Sequence, residues 1–218
     1  MQPVLYAHPF SSYCQKALIA LYENDIPFMF RMLGPDDPSA FAELERLWPL
    51  KRFPVLVDGG RTIFEATVII EHLALHHPGP VRLVPQDGTA VEVRMMDRVF
   101  DNYVMTPMQT VVLNARRPET DRDPYGVAEA RAFLDRCYGW LDSVMATRVW
   151  AAGDHFSMAD CAAAPSLFFA DWAHEIDPAF THLRAYRARL LARPSIARAV
   201  DEARPFRHFF PLGAPDRD

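Results

Sequence analysis

The sequence predicts a small α/β domain followed by an all-helical one. Three observations carry that expectation. Short apolar runs of strand character fall only in the first third of the chain, at residues 4–6, 26–32, 53–57 and 62–64. From Thr89 onward no strand pattern recurs, and apolar residues repeat at helical spacing. Between the two regions, Pro78-Gly79-Pro80 and Pro85-Gln86-Asp87-Gly88 are breaker and turn signals. Residues 1–78 and 89–218 are therefore expected to form the two domains.

Taken in order, Val4-Leu5-Tyr6 reads as a strand feeding a helix that runs through Ala17 and Tyr22 and stops at Asn24-Asp25. The run from Ile26 to Met32 reads as a second strand, with Pro27 at its start where a missing donor does least harm. Strand, helix, strand in so short a space predicts a βαβ unit with a parallel pair. Asp37 as N-cap with Pro38 in the first turn opens a helix through Phe41, Leu44 and Leu47. Asp58-Gly59-Gly60 is a hairpin turn between two further strands. A helix from Val68 to Leu73 then ends before Pro78.

In the second region a long helix carrying Val93, Met96, Phe100 and Val104 is expected to be interrupted near Pro107. A helix through Phe133 and Trp140 follows. Ser157-Met158-Ala159-Asp160 forms a capping box opening an apolar, buried helix to Trp172. Two shorter arginine-rich helices close the chain, their arginines read as solvated faces.

At 218 residues, half of them apolar and 23% charged, the composition is that of an ordinary soluble protein with a proper core. A net charge of −5 gives no reason to expect nucleic acid. No apolar run suffices to span a bilayer, and no basic-plus-apolar leader precedes the first strand. Cys14, Cys137 and Cys161 are too few and too scattered for a disulfide framework or a zinc site, so no metal is expected. The reading is a reduced, cytoplasmic protein of enzyme size.

The chemistry-bearing stretch is the first strand–helix junction. A helix N-terminus presents unpaired N–H groups and the positive end of a dipole, which stabilise an anion or a thiolate. Ser11 and Cys14 give an S-x-x-C spacing that suggests a thioredoxin-like half, with the first sulfur replaced by a hydroxyl. Two-thiol chemistry is thereby lost, and Cys14 is read as a buried, inert thiol. Ser12-x-x-Gln15 reads as a capping box, which occupies Ser12 and leaves the Ser11 hydroxyl free to donate to a group at the helix end.

These features, with Phe53-Pro54 opening a strand, Asp58-Gly59, Glu65-Ala66 and the Ser157-x-x-Asp160 box, resemble the glutathione transferase superfamily over nearly the whole chain. The likeness is to serine-type, theta- and zeta-like bacterial members, and Tyr6 lies too early to match the tyrosine of other members. The resemblance implies a thioredoxin-like domain, an all-helical domain and a homodimer that uses glutathione as co-substrate. Residue by residue, it makes Ser11 the hydroxyl facing the glutathione sulfur. Phe53, ahead of a cis Pro54, would pair with the cysteinyl backbone. Glu65 and the Ala66 N–H would hold the γ-glutamyl end, and Arg52 the glycyl carboxylate. Asp101 matches an acidic residue able to reach the partner subunit's glutathione.

An electrophile pocket between the domains is expected from Phe10, Tyr103, Pro107, Met108 and Phe206. Ala66 stands where the family usually has Ser or Thr, which removes a hydrogen bond of about 1.5–3 kcal/mol unless Thr67 or water replaces it. Trp48 stands where Asn is common. The implied reaction is conjugation of glutathione thiolate to small apolar electrophiles. The alternatives are a glutathione-dependent peroxidase or reductase, and a non-catalytic binding protein on the same fold.

Overall fold

The computed structural model describes residues 2–218. Four strands form one mixed sheet in the order β2-β1-β3-β4. β1 (Val4–Ala7) pairs in parallel with β2 (Met29–Met32), and antiparallel with β3 (Val55–Asp58), which pairs antiparallel with β4 (Arg61–Phe64). The parallel pair requires a crossover, supplied by α1 (Ser12–Glu23). β2 begins later than the apolar run suggested. Pro27 has no N–H to give, and the edge of the ladder opens only where the Met29 N–H donates to the Pro3 carbonyl at 2.8 Å.

α2 (Pro38–Leu47) starts where the Asp37 carboxylate accepts the Ser39 N–H at 3.1 Å. The β3–β4 turn is Gly59-Gly60 with φ of +55 and +81, the left-handed pair a two-residue hairpin demands. α3 (Ala66–His76) packs back on the sheet through Ile69 and Leu73, which join Leu5, Leu18 and Leu56 in the core beneath it.

The rest of the chain is helical apart from loops: α4 (Thr89–Val99), α5 (Thr106–Ala115), α6 (Pro124–Met145), α7 (Met158–Ala173), α8 (Thr181–Leu191) and α9 (Pro194–Ala203), then a 3₁₀ turn over Arg204–Phe209. The expected interruption at Pro107 does not occur. Residues 100–105 widen into a π-helical turn that links α4 to α5 without a break. A proline ring crowds the carbonyl four residues earlier, and the wider turn relieves this. The Thr106 N–H reaches the Asp101 carbonyl, which also accepts the Thr106 hydroxyl at 3.1 Å.

Every residue of α7 is buried, as its unbroken apolar run implied. Its capping box is closed by Asp160, which accepts the Ser157 N–H at 2.8 Å, the Ala151 N–H at 2.9 Å and the Tyr186 hydroxyl at 2.7 Å. The largest apolar cluster runs from Ile19 and Ala20 of α1 and Ile70 of α3 into Ala163 and Leu167 of α7. The two halves thus share a core, with α1 lying between the sheet and α7.

The arginine-rich tail needs one correction. Arg198 and Arg204 do lie on solvated faces, but Arg187 pairs with buried Asp171 at 3.2 Å. Arg193 ties α9 back to Glu23 of α1 and covers the Phe156 ring at 3.9 Å. No helix among the described residues is long and apolar enough to cross a membrane.

Candidate functional site

A cavity of about 920 Å³ opens where the ends of α1 and α3, the loop before β3, the α4–α5 helix and the C-terminal tail converge. Ser11 is the N-cap of α1, in extended conformation (φ −89, ψ 124), and its side chain makes no capping bond. The Ser12–Gln15 capping box is therefore not formed. Ser12 is the first helical residue, and the Gln15 amide turns back to donate to the Pro9 carbonyl at 3.0 Å. Ser11 thus holds the N-cap position without using its side chain there, and its hydroxyl lies within hydrogen-bonding reach of the Cys14 thiol. Cys14 is fully buried and its thiol is pushed up to about 12 by burial, which outweighs hydrogen bonds from Ser11 and the His8 N–H. It is a core thiol. The Tyr6 hydroxyl donates to Glu43 at 3.1 Å, away from the cavity.

Arg52, Phe53, Pro54, Glu65 and Ala66 all line the same cavity as Ser11. The Phe53–Pro54 bond is cis, and among the described residues no backbone group pairs with the Phe53 N–H or C=O. An extended ligand backbone could take both. Glu65 is an exposed non-glycine residue at φ +70, ψ 117, immediately ahead of α3. Such a conformation costs about 1–3 kcal/mol and persists where the surroundings impose it, most often at functional sites. It leaves the Glu65 carboxylate exposed beside the unpaired N–H groups that open α3. Glu65→Gly is expected to raise unfolding stability by about 1 kcal/mol. If the γ-glutamyl end of glutathione sits here, as the resemblance implies, the same change weakens its binding by about 10- to 150-fold. Urea melts and calorimetry on one preparation check both, and a less stable variant would show that the position is not strained.

Thr67 does not stand in for the missing hydroxyl at Ala66. Its Oγ1 turns inward, accepting from the Lys16 ammonium at 2.8 Å and donating to Asp97 at 2.9 Å. Lys16, only 1% exposed, also pairs with Asp97 at 2.6 Å and Asp101 at 2.8 Å, and Arg98 closes the group from the solvent side. Asp101 faces the cavity of its own chain and is 5% exposed. Its Oδ1 is a buried oxygen without a partner among the described residues. Burial pushes its carboxyl above the usual range, with Lys16 and Arg98 pulling the other way.

Of the expected electrophile pocket, Phe10 and Met108 line the cavity and three residues do not. Tyr103, in the π turn, is 51% exposed and leans on Phe133. Pro107 is buried among the helices. Phe206 packs edge-on against His8 at 4.7 Å. Phe209, on the same side of the 3₁₀ turn at three-residue spacing, lines the cavity in its place. Phe169 of α7, edge-on to Phe10 at 5.3 Å, and Arg116 at the C-cap of α5 also line it and were not foreseen. Nothing marks one phenylalanine of an entirely buried helix as facing a cavity.

Trp48, where Asn is common, stacks flat on Phe64 at 4.0 Å and forms part of the wall.

Comparison with known proteins places these features in context. Residues 5–81 match the family model of the glutathione S-transferase N-terminal domain, and residues 124–189 that of the C-terminal domain. Together the two span well over half of the chain. A glutathione S-transferase from Methylobacterium radiotolerans, solved in complex with glutathione sulfonate, is 26% identical with a TM-score of 0.79, covering 92% of this chain and 95% of that one. A probable maleylacetoacetate isomerase of Vibrio cholerae is 26% identical over 94% of this chain and 98% of its own length. A stringent starvation protein A homolog of Coxiella burnetii is 27% identical over 75% of this chain and 74% of its own.

Proposed function

The chain belongs to the glutathione S-transferase superfamily, and from that premise we propose that it binds glutathione in this cavity and transfers its thiolate to a small electrophile. The observation that carries the reading is the Ser11 hydroxyl. It makes no capping bond, stands at the positive end of α1, and shares a wall with Phe53, Glu65 and Ala66. In this reading the γ-glutamyl end sits on Glu65 and the Ala66 N–H, and the cysteinyl backbone pairs with Phe53. The glycyl carboxylate meets Arg52, which makes no ion pair among the described residues. The sulfur then lies over Ser11.

The hydroxyl and the helix dipole favour the thiolate over the thiol. The sulfur lone pair forms the new S–C bond as the electrophile's leaving group, or the far end of its conjugated double bond, takes up an electron pair. Phe10, Met108 and Phe169 offer the electrophile an apolar wall. Exposed Phe64, Val68, Val91 and Met95 on β4, α3 and α4 support assembly as a homodimer.

A second reaction on the same site is favoured by Arg116, an exposed guanidinium in the cavity wall. It suits an electrophile that bears a carboxylate. Addition of the thiolate to such a conjugated double bond, rotation and expulsion of the thiolate would isomerise the substrate and return glutathione unchanged. The isomerase relative is in keeping with it.

Calorimetry with glutathione is the primary test, followed by turnover of an aryl halide and of a conjugated enone. One-site binding and formation of a thioether are expected. No heat at millimolar glutathione would remove both reactions, and binding without turnover of either probe would remove conjugation, leaving the isomerisation or a non-catalytic member.

A further inference from the structure

We propose that Asp58, His72 and His77 form a binding site for a zinc-like divalent cation. The three sit at the end of the N-terminal domain away from the glutathione seat. Asp58 closes β3, and His72 and His77 lie in the last turns of α3 and at its C-cap. Glu65 and Ala66 occupy the other end of that helix, about 10 Å along its axis from His72 and about 16 Å from His77. The proposal does not depend on what the cavity binds.

Both ring Nε2 atoms converge on one carboxylate oxygen: His72 lies 2.9 Å and His77 2.7 Å from Asp58 Oδ2. One donor atom from each residue lies within 4.8 Å of the others. The side chains are 11%, 28% and 12% exposed for His72, His77 and Asp58, so the cluster is partly buried but reached by solvent. Two imidazoles and a carboxylate are the donor set of zinc, nickel and copper rather than of magnesium or calcium. Three protein ligands leave a fourth position for water, as in open zinc sites.

Metal–nitrogen distances of 2.0–2.1 Å would need the ligand atoms to part by roughly half an ångström. Partial exposure gives them that room. The ligands stand on a hairpin fixed by Gly59-Gly60 and on a helix packed into the core, so they are positioned before any ion arrives. A bound ion would staple the hairpin to the end of α3.

The rival is a hydrogen-bonded clamp in which both imidazoles donate to Asp58 and no metal enters. His77→Gln separates the two, because the glutamine amide can still donate to Asp58 but is a poor zinc ligand. Zinc chloride titrated into tag-free full-length protein against a chromophoric chelator should show one equivalent per chain. Zinc should also raise the thermal midpoint. His77→Gln and Asp58→Asn should each lower the zinc affinity at least tenfold and abolish the thermal shift, with His182→Ala unchanged. A wild-type chain without stoichiometric zinc, or His77→Gln binding zinc as tightly as wild type, overturns the proposal.

Discussion

Replacing Ser11 by alanine is expected to lower kcat/KM for thiol conjugation by about 10- to 50-fold at pH 6.5, roughly the loss of one charge-assisted hydrogen bond. A free cysteine thiol ionises near pH 8.5, so few molecules of glutathione carry a thiolate in neutral water. Bringing that value down by about 2 units needs about 2.7 kcal/mol. A hydroxyl donor and the end of α1 can supply this between them. Removing the hydroxyl leaves the dipole, so the bound thiol should return part of the way toward 8.5.

The sign follows from that. At pH 6.5 the variant holds less thiolate than wild type, and above about pH 9 both are ionised, so the deficit should close as pH rises. Thiolate absorbance of the bound tripeptide, followed against pH, reads the shift directly. Glutathione affinity should change little, since the tripeptide is held elsewhere. Ser12 lines the same cavity as the first residue of α1, so Ser12→Ala is the companion measurement. An alkaline shift with Ser12→Ala and none with Ser11→Ala would move the role one residue along.

The parts of the fold that could be read in advance are those set by local chemistry. Asp58-Gly59-Gly60 can be little but a tight hairpin, Asp37-Pro38 caps a helix, and an unbroken apolar run such as α7 has to be buried. The misreadings came where distant contacts overrode a local preference. Ser12 and Gln15 satisfy the capping-box pattern, yet Gln15 is 2% exposed and is used instead to satisfy the Pro9 carbonyl. Pro107 should break a helix, but widening the preceding turn costs less than unpacking α4 and α5 from α7. Phe206 and Phe209 are equivalent in sequence, and only the path of the tail decides which one reaches the cavity.

The same limit hid the two polar clusters. His72 and His77 read as ordinary residues at a helix end, and Asp58 as the first residue of a turn. Their meeting depends on how β3 and α3 pack. Lys16, between Gln15 and Ala17, looks like the solvent-facing residue of an amphipathic helix. No solvent-facing side exists there, because α1 is enclosed by the sheet and α7 and is buried from Cys14 to Leu21.

That enclosure makes Lys16 the residue whose loss should cost most. Its ammonium is held by Thr67 of α3, Asp97 of α4 and Asp101 of the π turn, so one side chain joins α1 to three other segments. Lys16→Met keeps the length and apolar stem but leaves two buried carboxylates facing Arg98, whose side chain is 48% exposed. Removing one partner from a buried ion pair costs about 3–5 kcal/mol, chiefly because the remaining charge is stranded. Urea unfolding at neutral pH should show a loss of that size, since urea leaves ionic strength unchanged.

Two further measurements separate stranded charge from lost packing. Asp101 already has its carboxyl raised by burial, with Lys16 among the groups restraining it. An acid whose folded value is raised takes up protons on folding, so its cost is relieved as pH falls through that value. The gap between wild type and Lys16→Met should therefore narrow as pH is lowered toward the carboxylate range. Neutralising both acids in Lys16→Met/Asp97→Asn/Asp101→Asn should recover much of the loss at neutral pH. A deficit below about 1 kcal/mol, or one indifferent to pH and to the added substitutions, would mean that α1 is held by its apolar contacts alone. Asp101 would then be free of any duty to the fold, and its unpartnered oxygen in the cavity wall would be there for the ligand.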